Sequence, residues 1–340
     1  MTGKSNFQLN PGVWLTVLLW SLLLGLLLNG CGAEEPKVYR VGILAGLSGA
    51  LAEVTEGFKA EMAELGYVEG ENIIYDIQET EFEIEAYQRV LQQFVADEVD
   101  LIFVFPTEAA LEAKAITQGT DIPVVFNYVL IEGVDLVNSV REPGGNITGV
   151  RYPGPDIALR RFNIMLELVP EAKTIWIPYQ RGYPIIPPQL EILRPAAEAA
   201  GVTLIETPAD NGADLEAELQ TLAEAGDISL DAVLFLIGPL NTRSDVVDVM
   251  AKLVAEQQIP VGGDLIQIGE NQTLFGLNVD AVNSGKQAAP LVDKIFKGTP
   301  AGTIPVVSTE GYLKINYKEA QRLGLTVPEG LLGLADEIIR

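Results

Sequence analysis

A serine follows the first predicted strand, in a glycine-rich turn that precedes a predicted helix. The segment Gly46-Leu47-Ser48-Gly49-Ala50 has the position of a nucleophile elbow of the G-x-S-x-G type, but alanine replaces the last glycine. The chain has no histidine that could activate a serine, so only a Ser-Lys arrangement stays open for catalysis. The N–H groups at the start of a helix carry partial positive charge and bind anions. We therefore predict that Leu47 and Ser48 contact the anionic group of a ligand, such as an amino-acid carboxylate.

Polar side chains also follow the next two buried strands predicted in the first half of the chain. Thr107 and Glu108 come after Pro106 at a strand-to-helix junction, and Asn127 and Tyr128 follow the next strand. The Thr107 hydroxyl can cap the helix, contact a ligand, or do both. Because the carboxyl ends of parallel strands meet at one edge of a sheet, we expect all four residues at the same rim.

Aromatic, amide and acidic residues occupy similar places in the second half. Tyr179 and Tyr183 lie in a loop that follows a strand, where they either flank a flat ligand or are surface tyrosines among prolines. Asn241 and Asp264 follow the next two strands. We predict that Asp264 pairs with a ligand ammonium group.

Composition excludes several classes of function. The 340 residues include 22 Lys+Arg and 47 Asp+Glu, and the net charge of -25 argues against nucleic acid or an anionic membrane surface as a partner. With no histidine and one cysteine, the chain cannot use imidazole catalysis, histidine-ligated zinc or an internal disulfide. The segment Asn283-Ser284-Gly285-Lys286 is similar to the end of a phosphate-binding loop, but Asp280 stands where its leading glycine belongs. We therefore expect no catalytic residue, no metal and no cofactor.

Short apolar runs alternate with amphipathic helical stretches from Val38 onward, which is typical of βαβ units. The apolar run at 100–105 has a parallel at 231–237, and the Ile-Pro-Val at 122–124 has one at 259–261. The pattern predicts an α/β protein with two doubly wound parallel-sheet lobes. Such sheets bind ligands beyond the carboxyl ends of their strands, so a cleft between the lobes is the expected site.

Two segments are candidate crossings between the lobes, namely residues 143–149 and 275–280. They divide the chain into a first lobe of residues 38–147 plus about 278–303 and a second lobe of residues 148–277 plus about 304–340. Hinges are a few residues that absorb backbone rotation, although the glycines here also suit an ordinary loop. The predicted hinge residues are Asn146, Thr148, Gly149, Leu277 and Asn278.

The amino terminus carries an uncharged apolar run at residues 13–28, nearer in length to a secretory signal than to a membrane span. Leu28-Asn29-Gly30-Cys31 resembles a bacterial lipobox, which implies cleavage after Gly30 and lipidation of Cys31. The predicted parts are a lipoprotein signal peptide at 1–30 and a lipidated tether at 31–37. This interpretation places the protein outside the cytoplasm, at the periplasm or cell surface, and attached to the membrane by lipid alone. A plain membrane helix with an incidental cysteine is the alternative.

Three further segments resemble a known family. Residues 66–72 (GYVEGEN), 143–150 (PGGNITGV) and 320–328 (AQRLGLTVP) are similar to ABC transporter substrate-binding proteins, in the subgroup that includes tryptophan- and tyrosine-binding lipoproteins. The resemblance spans residues 38–340 and implies a type I periplasmic binding protein-like fold. It also implies a monomer that delivers an amino acid or similar small molecule to an ABC permease with its ATPase. The loops at 179–183 and 238–241 depart from the family pattern and leave the ligand open.

Two other functions stay open at this point. The same fold serves as the ligand-loading subunit of a sensor, without import. An extracellular enzyme would need carboxylates that are distant in sequence to meet in the cleft, because no close acidic pair stands in the predicted rim loops.

Overall fold

Six parallel strands form the sheet of the first lobe in the computed structural model, which describes Gly3 and residues 37–46, 51–80, 82–224, 230–264, 267–268 and 271–340. Their order across the sheet is β13-β5-β4-β3-β1-β2. The strands are β1 (Tyr39–Ala45), β2 (Ile73–Glu79), β3 (Leu101–Phe105), β4 (Val124–Val129), β5 (Ile147–Arg151) and β13 (Val307–Ser308).

Seven strands form the sheet of the second lobe, in the order β15-β14-β12-β9-β8-β6-β7. All neighbours run parallel except β12 and β14, which are antiparallel. The strands are β6 (Thr174–Gln180), β7 (Thr203–Ala209), β8 (Ala232–Leu234), β9 (Val261–Gly263), β12 (Phe275–Val279), β14 (Gly311–Asn316) and β15 (Glu337–Ile339). A separate two-stranded pair consists of β10 (Gln267–Ile268) and β11 (Asn271–Gln272).

The two sheets repeat one strand order. The series β2-β1-β3-β4-β5 in the first sheet corresponds to β7-β6-β8-β9-β12 in the second. In both sheets the strand order reverses beside the strand that comes first in the chain, β1 in one and β6 in the other. Doubly wound sheets bind ligands at this point. The predicted fold class, with two doubly wound lobes, is confirmed.

Helices cover both faces of each sheet. The first lobe has α1 (Ala52–Glu64), α2 (Ile84–Ala96), α3 (Thr107–Ile116) and α8 (Ala281–Phe296). The second has α4 (Gly154–Leu168), α5 (Ile186–Ala200), α6 (Gly212–Glu224), α7 (Ser244–Gln257), α9 (Tyr317–Arg322) and α10 (Glu329–Leu334). Short 3-10 helices span Pro239–Thr242 and Ala301–Thr303, and the first of them ends just before α7.

Strand alternation divides the core of the first lobe into two layers. Val41 and Ile43 pack with α1 and α8, whereas Leu44 packs with α2 and α3 on the opposite face. Side chains of successive strand residues point to opposite faces, and here both faces are covered. The five residues of β3 are therefore all buried, as expected for a central parallel strand.

The chain crosses between the sheets after β5, after β12 and after β13. The lobe boundaries predicted at residues 147 and 303 are therefore too early, because β5 and β13 both belong to the first sheet. Residues 278 and 279 belong instead to β12 in the second sheet.

The predicted hinge residues of the first crossing lie inside the first lobe. Asn146 donates to the Ile122 carbonyl at 2.6 Å, and the Thr148 hydroxyl donates to the Ile304 carbonyl at 2.7 Å. Gly149 sits where a Cβ would overlap the Phe126 carbonyl oxygen. This glycine thus allows close packing within the sheet, and the crossing itself follows Arg151. Leu277 and Asn278 do lie in β12, at the end of the sheet before the second crossing.

Apart from Gly3, the predicted signal peptide, Cys31 and the tether up to residue 36 lie outside the described residues. Among the residues that the structure describes, no helix is both long and apolar enough to span a membrane.

Candidate functional site

The carboxyl ends of the strands carry most of the predicted site residues. In the first lobe these are Thr107 and Glu108 after β3 and Tyr128 in β4. In the second they are Tyr183 after β6, Asn241 after β8 and Asp264 after β9. The structure brings them together in two groups, one around Glu108 and Tyr183 and one around Tyr128 and Asp264. Leu47 and Ser48 lie outside the described residues.

Tyr183 connects the two lobes. Its ring lies 6.4 Å from the ring of Phe82, between centroids, and its hydroxyl hydrogen-bonds with the carboxyl group of Glu108. Phe82 in turn meets Tyr87 edge to face at 6.3 Å. Burial, with the nearby charge of Glu108, raises the pKa of Tyr183, so its hydroxyl is protonated and donates to the carboxylate. These contacts place a second-lobe loop directly against the first lobe.

Glu108 presents a partly satisfied carboxyl group in this contact. Burial raises its pKa, while hydrogen bonds from its own backbone N–H and from Tyr183 oppose that rise. Its Oε2 atom is buried and has no hydrogen-bond partner in the structure. Buried carboxylate oxygens are normally satisfied, so this atom has capacity for a donor supplied by another molecule.

Thr107 is not the helix cap that the sequence suggests as one of its roles. Pro106 takes the N-cap position in an extended conformation, and Thr107 is the first helical residue. The buried Thr107 hydroxyl oxygen accepts from the Leu130 N–H at 3.1 Å. That bond joins α3 to the end of β4 and fixes the rim on which Glu108 stands.

Two predicted residues make their contacts away from the cleft. Asn127 is fully buried in the first lobe, where its amide donates to the Ser284 carbonyl at 2.8 Å and accepts from the Ser284 hydroxyl at 2.7 Å. Tyr179 belongs to β6, and the charged groups that influence it, Glu206 and Arg194 foremost, are all in the second lobe. Unlike Tyr183, Tyr179 is not placed against Glu108 and Phe82 of the first lobe.

Tyr128 reaches the second crossing with its hydroxyl. It has a left-handed backbone, with φ of 53°, and donates to the Oδ1 atom of Asn278 at 3.0 Å. Its ring packs against that of Tyr152 with centroids 5.2 Å apart. Burial raises the pKa of Tyr128 well above its usual value. A neutral hydroxyl therefore links the first lobe to β12.

Asp264 is surrounded by donors from the protein itself. It accepts from Arg161 at 2.8 Å and Asn278 at 2.7 Å, with Asn241 farther off at 3.4 Å. Both members of the Arg161–Asp264 ion pair are buried. Burial raises the pKa of Asp264, and the positive charge of Arg161 counters that rise. The ammonium partner predicted for Asp264 is thus supplied by a guanidinium group of this chain.

Arg161 also belongs to this site, although it is not among the residues predicted from the sequence. It lies on the buried face of α4, in register with Ile157, Ala158 and Met165, and is itself fully buried. Its guanidinium also donates to the Leu277 carbonyl at 2.8 Å from Nε and to the Tyr152 hydroxyl at 3.1 Å. An arginine at core spacing in an amphipathic helix is the signal that points to a buried acidic partner.

A cavity of about 550 Å³ opens beside this second group. Its lining comes from both lobes and includes Tyr128 and Leu51 from the first and Asp264, Asn278 and Lys314 from the second. That volume falls in the range of small-molecule sites. Within the described part of the chain, no group of three or more acidic or thiol side chains is placed to hold a metal ion.

Comparison with known proteins gives consistent matches over most of the chain. A family model described as ABC transporter substrate binding protein matches residues 40–339. A tyrosine-binding protein from Clostridioides difficile is 24% identical over 264 residues, which is 77% of this chain and 73% of that protein.

Solved structures share the fold. A conserved domain protein from Vibrio cholerae is 26% identical, with a TM-score of 0.74 over 89% of this chain and 100% of the other. An ABC domain in complex with L-Trp from Streptococcus pneumoniae is 24% identical, with the same TM-score of 0.74 and the same coverage of 89% and 100%.

Proposed function

Because this chain belongs to the ABC transporter substrate binding protein family, we propose that it captures a small ligand between its two lobes and delivers it unchanged to an ABC permease. The observation that carries the proposal is the contact of Tyr183, from the second lobe, with Glu108 and Phe82 of the first. Closure around a ligand is favoured by as much as the ligand prefers the closed form. Side chains that face each other across the cleft supply that preference.

An aromatic amino acid is the leading candidate ligand. The curated relative is named for tyrosine, and one structural neighbour is bound to L-Trp. In this chain, Phe82, Tyr87 and Tyr183 form a run of neighbouring rings, of which Tyr183 contacts Glu108. Aromatic faces and edges pack favourably against an aromatic guest. Leu47, Ser48 and Thr107 complete the proposed first-lobe side.

The proposed place of action is outside the cytoplasm, with a lipid on Cys31 as the membrane attachment and the folded part acting as a monomer. A permease with its ATPase is the proposed partner. Mass spectrometry of the protein recovered from membranes should find a chain that begins at Cys31 and carries an acyl modification there, and Cys31→Ser should abolish both the modification and the cleavage. An unmodified Cys31, or a wild-type chain that keeps residues 1–30, would contradict lipid anchoring.

A thermal-shift screen tests ligand capture. The full chain, purified in detergent, is heated with amino acids, nucleosides and sugars in separate samples. A ligand at 100 times its dissociation constant adds ~2.7 kcal/mol of stability, so we expect a clear rise in melting temperature with an aromatic amino acid. The same samples should return the ligand at its original mass. No shift with any compound, or a chemically altered ligand, would overturn the proposal.

A further inference from the structure

The cleft contains two carboxyl groups, Asp264 and Glu108, that differ in how many hydrogen-bond partners the protein supplies to them. Asp264 accepts bonds from Arg161 and Asn278, and its charge is balanced by the guanidinium. Glu108 has a buried Oε2 atom without a partner. Among the described residues, no lysine or arginine contributes to the shift in the pKa of Glu108.

We propose that Glu108 is the cation-binding group of the cleft and that the ligand carries a primary ammonium group, which Glu108 contacts through Oε2. This inference rests on the proposed function, and it assigns to Glu108 the recognition of the ligand's amino group, which makes that group a requirement for tight binding. A primary ammonium offers three donors, of which one meets the unsatisfied oxygen. Tyr183, from the second lobe, donates a hydrogen bond to the Glu108 carboxylate. This bond orients the carboxylate before the ammonium group binds.

The ring of Tyr183, whose hydroxyl bonds to Glu108, belongs to a run of three rings that suits an organic cation. The rings of Phe82 and Tyr183 are 6.4 Å apart, and those of Phe82 and Tyr87 are 6.3 Å apart, between centroids. Aromatic faces attract cations, and the attraction grows when water is excluded. Charge-assisted hydrogen bonds are also stronger than neutral ones. A neutral sugar would leave the carboxylate without a counter-charge.

Glu108 differs from Glu112, the other acidic residue of α3, in the partners of its carboxyl group. Glu112 stands one helical turn later in α3, where it accepts from the side chain of Gln88 at 2.9 Å. It therefore has a protein partner in the first lobe. Glu112→Gln removes the same charge from the same helix and serves as the matched control.

The test is calorimetric titration of the full chain in detergent with paired probes. L-Tyrosine is compared with 3-(4-hydroxyphenyl)propionate, and L-tryptophan with indole-3-propionate; each second compound lacks only the amino group. We expect the wild type to prefer the amine by about 10- to 100-fold, the range that a charge-assisted hydrogen bond supplies. Glu108→Gln should lose that preference while keeping its affinity for the desamino compound. Glu112→Gln should behave as the wild type does.

The outcomes separate the two proposals. If Glu108→Gln melts as a folded protein and still prefers the amine as strongly as the wild type, the assignment of Glu108 is wrong and ligand capture stands. Tight binding of a sugar or another compound without an amine also overturns the amine class and leaves capture intact. If the wild type binds no amine probe and no other small molecule shifts its melting temperature, both proposals fail.

Discussion

The guanidinium of Arg161 donates to the carboxylate of Asp264 at 2.8 Å, between two side chains that are buried in the second lobe. Arg161 comes from α4, the first helix after the first crossing, whereas Asp264 directly follows β9. Asn278, near the second crossing, donates to the same carboxylate oxygen at 2.7 Å. One ion pair thus connects segments from both crossings, and it lies next to the interlobe cavity.

Replacement of Arg161 by Met should be strongly destabilising. The change leaves the Asp264 carboxylate buried without its cation, and the loss of one partner of a buried pair costs about 3–5 kcal/mol. Urea unfolding of the variant measures this loss. The double change Arg161→Met with Asp264→Asn should recover a large part of it, because the uncompensated charge is gone. A single variant within about 0.5 kcal/mol of the wild type would show that the pair has no such role.

The Tyr128 hydroxyl should contribute measurable stability through its bond to Asn278. Tyr128→Phe removes one hydrogen bond and is expected to cost about 1 kcal/mol. Tyr75→Phe is the matched control, since the Tyr75 hydroxyl is buried and has no hydrogen-bond partner. The control should be neutral or slightly stabilising. Equal losses in the two variants, measured by chemical denaturation, would argue against the link to β12.

Close packing of α1 on α8 should be sensitive to a single methyl group. A Cβ at Gly57 would overlap the backbone carbonyl of Val282, so Gly57→Ala forces the helices apart. Overpacking of this kind costs about 1–3 kcal/mol. Gly330 in α10 has open space at the Cβ position, and Gly330→Ala should be neutral or stabilising. Melting temperatures that fall alike in both variants would contradict the helix contact.

Acid should stabilise the free wild type relative to Glu108→Gln. The pKa of Glu108 in the folded protein lies above its ordinary 4.5, so its protonation favours the folded state and that contribution is lost as the pH rises through the folded pKa. The difference in unfolding free energy should therefore shift toward the wild type as the pH falls through the folded pKa of Glu108, and level off below 4.5. Tyr183, which hydrogen-bonds to this carboxyl group, stays protonated over this range because burial raises its pKa. A difference that is constant with pH would contradict the burial of this carboxyl group.

Local sequence patterns account for most of the fold. The apolar runs at 100–105 and 231–237 predict β3 and β8, and the repeated order of runs predicts two similar sheets. Gly201 ends α5 with φ of 67°, in the left-handed region where glycine commonly ends a helix. These features depend on neighbouring residues, so the sequence alone suffices to predict them.

Tertiary pairing accounts for what the sequence analysis missed. Arg161 and Asp264 are separated by 103 positions, and Asn127 and Ser284 by 157. The core spacing of Arg161 indicates a buried acidic partner, but no local pattern indicates which acid that is, or that Asn127 pairs with Ser284 and not with a ligand. Gly149 shows the same limit. A glycine at this position suggests a hinge, but glycine is required here because the Phe126 carbonyl oxygen lies where a Cβ would be.

We expect a small ligand to be held, unaltered, between Glu108 and the loop that carries Tyr183. The direct test is a crystal structure of the protein in complex with the compound that raises its melting temperature most. The expected density shows the intact ligand between the lobes, with its ammonium nitrogen at hydrogen-bonding distance from Glu108 Oε2. Density for a reaction product, or for a ligand bound on the outer surface of either lobe, would contradict ligand capture at this site.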